Sequence, residues 1–377
     1  MHLEFPGRLP ESEILKGDGR GRLPWDASTS RSALVLGENL AVLRCLLHDH
    51  GMGGKVRLAT IDPPFSTRSV FRIADGRANA VSRPLEGATA YDDRLAGPAY
   101  LEFLRERFVL LRELLSGDGS LYVHADLKIG HYVKILLDEV FGPRSFRSDV
   151  ARVKCNPKNF DRNSYGNVKD VILFYAKSAR AVWNPPREPL DEESLARLFR
   201  KIDGQGRRYT TVPLHAPGET ARGATGKPWK GMMPPKGRHW RCDPRELDTL
   251  DAEGRIERSR NGVPRRILYA DEAGKKGKLV QDIWEFKDPQ SPTYPTEKNL
   301  AMLERIVSAS SNPGDLALDC FCGSGTTLVA AEKLKRRWIG IDSSGEAIAA
   351  ARRRLASSAL PQSRGAAGYD FVEWAGL

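Results

Sequence analysis

Residues 316–342 read LALDCFCGSGTTLVAAEKLKRRWIGID, and the fold is decided by how this stretch is read. Its first four residues, ending at Asp319, are too few for an amphipathic helix and read as a buried parallel strand. Phe321, Gly323 and Gly325 follow with the spacing F-x-G-x-G. Glycines there let the backbone turn sharply and let a ligand lie against it with no Cβ in the way. Leu328, Val329, Ala331 and Leu334 mark the apolar side of a helix over 326–336, which opens at Thr326. A second strand is predicted over 338–341, with Asp342 at its end. Strand, glycine turn, helix and strand form half of a nucleotide-type α/β unit. A carboxylate at the end of the second strand can accept both hydrogens of a ribose diol. The loop has no G-x-x-x-x-G-K-[ST] phosphate pattern, and Phe321 replaces the first glycine of the dinucleotide fingerprint. A nucleoside cofactor without a pyrophosphate therefore fits better than NAD or ATP. The same residues would also serve a plain strand–helix turn that needs glycines for packing.

Far upstream, the run Thr60-Ile61-Asp62-Pro63-Pro64-Phe65 ends a short apolar strand over 56–61. Proline cannot donate to a sheet ladder, so the strand stops there and the backbone after the carboxylate is stiff. Open α/β sheets bind ligands at this C-terminal edge. Residues 34–47 have helical spacing. Residues 66–98 are polar and loop-like, with Arg68, Arg72, Arg77 and Arg83, and read as a flap over substrate or as a simple insertion. A helix over 99–115 precedes a strand over 120–124, whose edge carries His124-Ala125-Asp126, and a helix over 131–141. Two strands over 150–155 and 168–175 flank a polar loop with Lys158 and Arg162, suited to a phosphate backbone or a base edge. Thr296 reads as a helix N-cap, and free N–H groups beside Lys298 suit an amino-acid carboxylate.

The 377 residues carry a formal charge of +11, which points to a polyanionic partner. Residues 205–278 hold 17 Lys and Arg against 9 Asp and Glu, so 17 − 9 gives +8 of that excess. Arg238, His239, Trp240 and Arg241 lie at its centre, where cations can meet phosphates and an aromatic can stack. No apolar run of about 20 residues and no signal-peptide pattern appears, so a soluble protein without membrane attachment is expected. The 5 cysteines have no zinc-site spacing, and no metal is expected.

In this order, Asp62-Pro63-Pro64-Phe65 followed by Asp319-Cys320-Phe321-Cys322-Gly323-Ser324-Gly325-Thr326-Thr327 resembles the beta-group, permuted amino-group DNA methyltransferases, which methylate adenine N6 or cytosine N4. The run 294–299 resembles their P-T-E/Q-K-P motif, and the likeness covers roughly residues 34–355. It implies a Rossmann-like, mostly parallel seven-stranded α/β sheet and S-adenosyl-L-methionine as cofactor. The expected divisions are an irregular arm over 1–33, a catalytic half over 34–179, a basic target-recognition insert over 180–287 and a cofactor half over 288–377. By resemblance, Asp319, Phe321, Gly323, Gly325 and Thr326 line the cofactor site, and Asp342 takes the ribose. Thr296 and Lys298 would hold the methionine carboxylate. Asp62 and the Pro63 carbonyl would accept the two amino hydrogens of a flipped-out base, and Phe65 would stack on it. Duplex DNA is the implied partner. A separately encoded restriction enzyme and a homodimer are both compatible, and a bacterial or archaeal cytoplasm with nucleoid association is the implied location. Asp-Pro-Pro-Phe favours adenine N6. Cytosine N4 transfer and a binder that has lost catalysis are the competing readings.

Overall fold

The computed structural model describes residues 2–17, 23–25, 31–64, 70–74, 77–78, 88–92, 97–157, 163–220, 222–290, 292, 294, 297–358 and 368–374. It divides into two compact units, Met1–Pro185 with Gln281–Leu377, and Pro186–Val280. The first unit is built on one sheet, whose strands are β1 (Ser32–Leu36), β2 (Val56–Ile61), β3 (Leu115–Ala125), β4 (Phe146–Val153), β5 (Lys169–Ala176), β6 (Ile283–Glu285), β7 (Leu316–Asp319), β8 (Arg337–Asp342) and β9 (Tyr369–Glu373). Their order is β6-β4-β5-β3-β2-β7-β8-β1-β9. From β3 to β9 every neighbour is parallel, while β5 runs against both β3 and β4. Among the described residues the sheet thus has nine strands where seven were expected, because the short strands β6 and β9 pair at its two edges.

All four residues of β7 are buried, as a parallel strand covered on both faces should be. After β7 the chain turns through Gly325, which has the left-handed φ of +77° that glycine adopts without penalty, and enters the helix α5 (Thr326–Lys333). Gly340 in β8 has a different reason: a Cβ there would lie 2.5 Å from Leu328 Cδ1, so its absence lets α5 sit directly on the sheet. The predicted strand of 56–61 pairs with β7 through Ala317↔Leu58 and Leu318↔Ala59. Asp62 and Asp319 therefore leave the same edge of the sheet from adjacent strands.

Two local expectations are corrected. Residues 34–36 are not helical but belong to β1, whose apolar run is held between β8 and β9; the helix α1 starts only at Asn39 and runs to His48. Residues 66–98 were read as a loop, but Val70–Ala74 pairs with Arg77–Ala78 and with Ala88–Asp92. The remaining helices of interest are α2 (Pro98–Leu114), α3 (Gly130–Phe141), α4 (Leu300–Ser310) and α6 (Gly345–Ser358). Among the described residues no helix is long and apolar enough to cross a membrane.

The second unit has a four-stranded antiparallel sheet (Lys201–Ile202, Arg208–Pro213, Pro264–Tyr269, Ile256–Arg258) and a two-stranded ribbon, His215–Pro217 against Arg238–Trp240. Leu214, Trp229, Trp240, Leu247 and Leu250 form its core. The two indoles meet edge to face, their centroids 6.4 Å apart, and each N–H finds an acceptor, Asp248 for Trp229 and the Lys227 carbonyl for Trp240. Trp240, expected on a DNA surface, has no exposed area and is a packing residue.

Candidate active site

The C-terminal ends of β2, β3, β7 and β8 open onto a cavity of about 750 Å³. Asp62, Pro63, Pro64, Lys298, Asp319, Phe321, Gly323, Thr326 and Asp342 all line it. Gly325 is not among the lining residues; it caps α5. Phe65, Thr296, Lys158 and Arg162, also singled out in the sequence, lie outside the described residues.

Asp62 is held from both sides. Lys298 Nζ lies 2.7 Å from Oδ2, and His124 Nδ1 lies 3.2 Å from Oδ1. Burial alone would push the Asp62 carboxyl up, but the Lys298 ammonium and then His124 outweigh it and hold it below the usual carboxylate range. About a quarter of the side chain is still exposed, facing the cavity. The stiff turn after it is pinned by Tyr100, a buried residue of α2 whose hydroxyl donates to the Pro64 carbonyl.

The glycine loop is organised by the two other aspartates. Asp319 Oδ1 accepts the Phe321 N–H at 3.0 Å, so the chain reverses directly after β7. Asp342 Oδ2 accepts the Gly323 N–H at 2.8 Å, and its Oδ1 accepts the Ser344 N–H at 2.9 Å. Asp342 therefore shapes the loop from both of its oxygens while lining the cavity. Burial raises its carboxyl, against the pull of the backbone N–H groups. Asp319 is pushed up to about 7, first by burial and also by the charges of Asp62 and Asp342, against the Thr327 side chain and the Phe321 N–H.

Behind the loop, Asn39 Nδ2 donates to the Cys320 carbonyl at 2.7 Å, while Arg107 Nε donates to Asn39 Oδ1 at 2.7 Å and Arg107 also bonds Glu38 at 2.6 Å. The Arg107 guanidinium lies 3.5 Å over the Phe103 ring, which in turn meets Phe321. Cys320 and Cys322 are buried and their thiols are raised by that burial.

The helix cap near Lys298 differs from expectation. Asn299 caps α4, its Oδ1 accepting the Ala301 N–H at 3.0 Å and the Met302 N–H at 3.4 Å. Those donors are thus taken by the protein's own side chain, and Lys298 is engaged with Asp62.

Glu38, Asp62, Glu297, Asp319, Asp342 and Glu346 line the cavity, against Lys298 and His124. A lining so rich in carboxylates suits a ligand with cationic centres, and the sulfonium and α-ammonium of S-adenosylmethionine are of that kind. The aromatic and glycine surfaces at Phe321 and Gly323 suit its nucleoside. The residues present therefore fit this cofactor.

In the second unit Arg238 and Arg241 are exposed on and beside the ribbon, and His239 is half-buried with Nδ1 2.7 Å from the Gly218 carbonyl. Burial and then the charges of Arg238, Arg241 and Arg265 lower the pKa of His215, which marks a concentrated positive field on this ribbon.

Residues 56–353 match the family model described as DNA methylase. The type II methyltransferase M.EcaI of Enterobacter cloacae is 41% identical over 372 residues, covering 95% of this chain and 78% of the relative. The Mod subunit of the type III restriction-modification enzyme StyLTI of Salmonella typhimurium is 25% identical over 333 residues, and this chain spans about half of it, 49%. Among solved structures, the cytosine-N4-specific PvuII DNA methyltransferase aligns over 87% of each chain at 13% identity and a TM-score of 0.49, a likeness too distant to bear on the base methylated here.

Proposed function

Because the chain belongs to the DNA methylase family, the amino-group DNA methyltransferases of restriction-modification type, we propose that it methylates adenine N6 in double-stranded DNA. The observation that carries this reading is the placement of Asp62: a clamped, ionised carboxylate on the rim of a carboxylate-lined cavity beside the glycine loop. Adenine rests on the aspartate at the head of Asp-Pro-Pro-Phe, where a serine is common in cytosine N4 enzymes.

S-adenosylmethionine, the cofactor of the family, supplies an electrophilic methyl group on a positively charged sulfur. Asp342 would hold the ribose of this cofactor, and the wall at Asp319, Phe321 and Gly323 its nucleoside. An exocyclic amino nitrogen is a poor nucleophile because its lone pair is delocalised into the ring. Asp62 and the Pro63 carbonyl accept its two N–H bonds and favour a more tetrahedral nitrogen, and these bonds strengthen as positive charge develops there. Each carboxylate oxygen has a second lone pair, so Asp62 can accept an amino hydrogen while Lys298 and His124 hold it. A carboxyl held this low is a weak base, so the amino proton leaves to water after or during transfer. Phe65 is assigned the stacking of the base on the family pattern alone. The base must leave the duplex to reach the cavity, and the basic ribbon of the second unit, with Arg238 and Arg241, would hold DNA phosphates. Such an enzyme works in the cytoplasm, alongside a separately encoded restriction enzyme where one exists.

The test is incubation of the protein with mixed-sequence duplex DNA and labelled S-adenosylmethionine, followed by nucleoside digestion and mass analysis. N6-methyladenine is expected. N4-methylcytosine would overturn the base assignment and keep the site chemistry; no labelled nucleoside would overturn the reading.

A further inference from the structure

Asp62 directly follows β2, and the register Ile61↔Val123 puts His124 beside it at the end of β3. On its far side the His124 ring meets β5, where Asp170 Oδ2 lies 3.2 Å from Nε2. His124 is 5% exposed and Asp170 4%. Asp170 is itself held from β4 and the residue after it: the Arg152 guanidinium lies 3.7 Å from its Oδ2, and Lys154 Nζ lies 2.6 Å from its Oδ1. Arg152 is fully buried, donates from Nε to the Phe286 carbonyl and pairs with Asp288. Facing the His124 ring and its partners from the neighbouring elements are therefore Asp62, Asp170, Lys298, Lys154 and Arg152.

Burying this many charges is costly, and an apolar core of the same volume would be at least as stable. What the line of charges does achieve is specific to one group: it holds the Asp62 carboxylate at the cavity from two sides. The His124 ring stands between the two carboxylates, with Nδ1 towards Asp62 and Nε2 towards Asp170.

We propose that His124, backed by Asp170, is the positioning residue of the transfer reaction, fixing Asp62 in orientation and keeping it ionised without touching the base. The inference rests on the catalytic reading of Asp62 given above. With Lys298 it makes a two-sided clamp, one nitrogen beside each carboxylate oxygen. Removing His124 leaves Lys298 alone against burial, so Asp62 takes up a proton at higher pH.

The experiment is the pH dependence of kcat and KM for methyl transfer to duplex DNA by the full chain, comparing wild type with His124→Gln, Asp170→Asn, their double variant and Asp62→Ala. The expected result is a kcat lowered about tenfold or more in His124→Gln. The acid limb should move up by about 1 pH unit, and the KM for S-adenosylmethionine should stay within about twofold. Asp170→Asn, which keeps shape and volume, should move the limb the same way by less. The double variant should be no worse than His124→Gln, because Asp170 acts through His124. An acid limb that stays put in both single variants overturns the inference, and so does a kcat loss matched by a large rise in KM. If His124→Gln fails to fold, the isosteric Asp170→Asn decides on the same limb. Turnover retained in Asp62→Ala would instead sink the catalytic reading itself, whatever the His124 variants do.

Discussion

Around Asp62 the charged side chains share partners inside the protein: Lys298, Asp62, His124, Asp170, Lys154 and Arg152 form one connected line. In Pro186–Val280 the charges instead meet at the surface, as Lys201 with Glu257, Lys230 with Asp251, and Glu272 between Arg207 and Arg255. Both regions use the same residue types, and burial makes the difference. In the first, solvent screens little and each charge sets the state of its neighbour. In the second, water screens the pairs and the unit is held by apolar packing on Trp229 and Trp240. Sequence charge alone describes both as polar and does not separate them.

If that contrast is right, the second unit fails through its core. Trp240→Ala should cost about 3–5 kcal/mol of that unit's stability, read by chemical denaturation. A loss below about 1 kcal/mol would mean that the ion pairs hold the unit after all. In the first unit the corresponding effect is electrostatic. The folded-state carboxyl of Asp319 is raised to about 7 from an ordinary value near 4. Between about pH 4 and 7 the folded protein therefore keeps a proton that the unfolded chain has lost. Its contribution is full below pH 4 and is lost as pH rises through 7. Asp319→Asn should flatten this decline, raising ligand-free stability at pH 8 relative to pH 4 by up to a few kcal/mol. Thermal melts across that range decide it, and an unchanged slope would remove Asp319 from the coupled set. Asp62→Ala should lower kcat by about 10²–10³-fold, with S-adenosylmethionine binding largely kept. A comparable loss of cofactor affinity would show that Asp62 supports the cavity rather than the reaction.

How much of this was readable beforehand differs between the regions for the same reason. The unit from β7 to β8 was legible because apolar runs, glycines and a terminal aspartate are local signals, and β2 was legible as a short apolar run stopped by two prolines. Strand β1 was missed because Leu34 to Leu36 merge with the helical spacing that follows, and only the neighbours β8 and β9 make it a strand. His124 was seen at a strand end, yet its role was hidden: Asp62, Asp170 and Lys154 are far apart in sequence and meet only through strand pairing. Tyr100 and Asn299 gave weak signals, a tyrosine in an amphipathic helix and an asparagine one residue before an apolar run. Trp240 misled because a tryptophan between arginines reads as an exposed aromatic until the ribbon turns it inward.

The smaller effects sharpen the contrast at the surface. Reversing Arg238 and Arg241 to Glu should weaken DNA binding by more than about tenfold and lower the salt slope by about 2, one for each phosphate contact. Unaltered binding would show that the ribbon's positive field serves no DNA contact. Smallest of all is Lys230, which pairs with Asp251 at the surface and has a left-handed φ of +46° that a side chain with Cβ adopts at a cost. Lys230→Ala removes the ion pair and keeps the strain, so stability should fall by less than about 1 kcal/mol. Lys230→Gly removes both, and relief of the strain should offset the lost pair, leaving stability equal to or above that of Lys230→Ala. Equilibrium denaturation of the two variants side by side separates the terms. If Ala and Gly are equally destabilised by well over 1 kcal/mol, the exposed pair supports the unit as strongly as a buried one, and the distinction between the two regions fails at its weakest point.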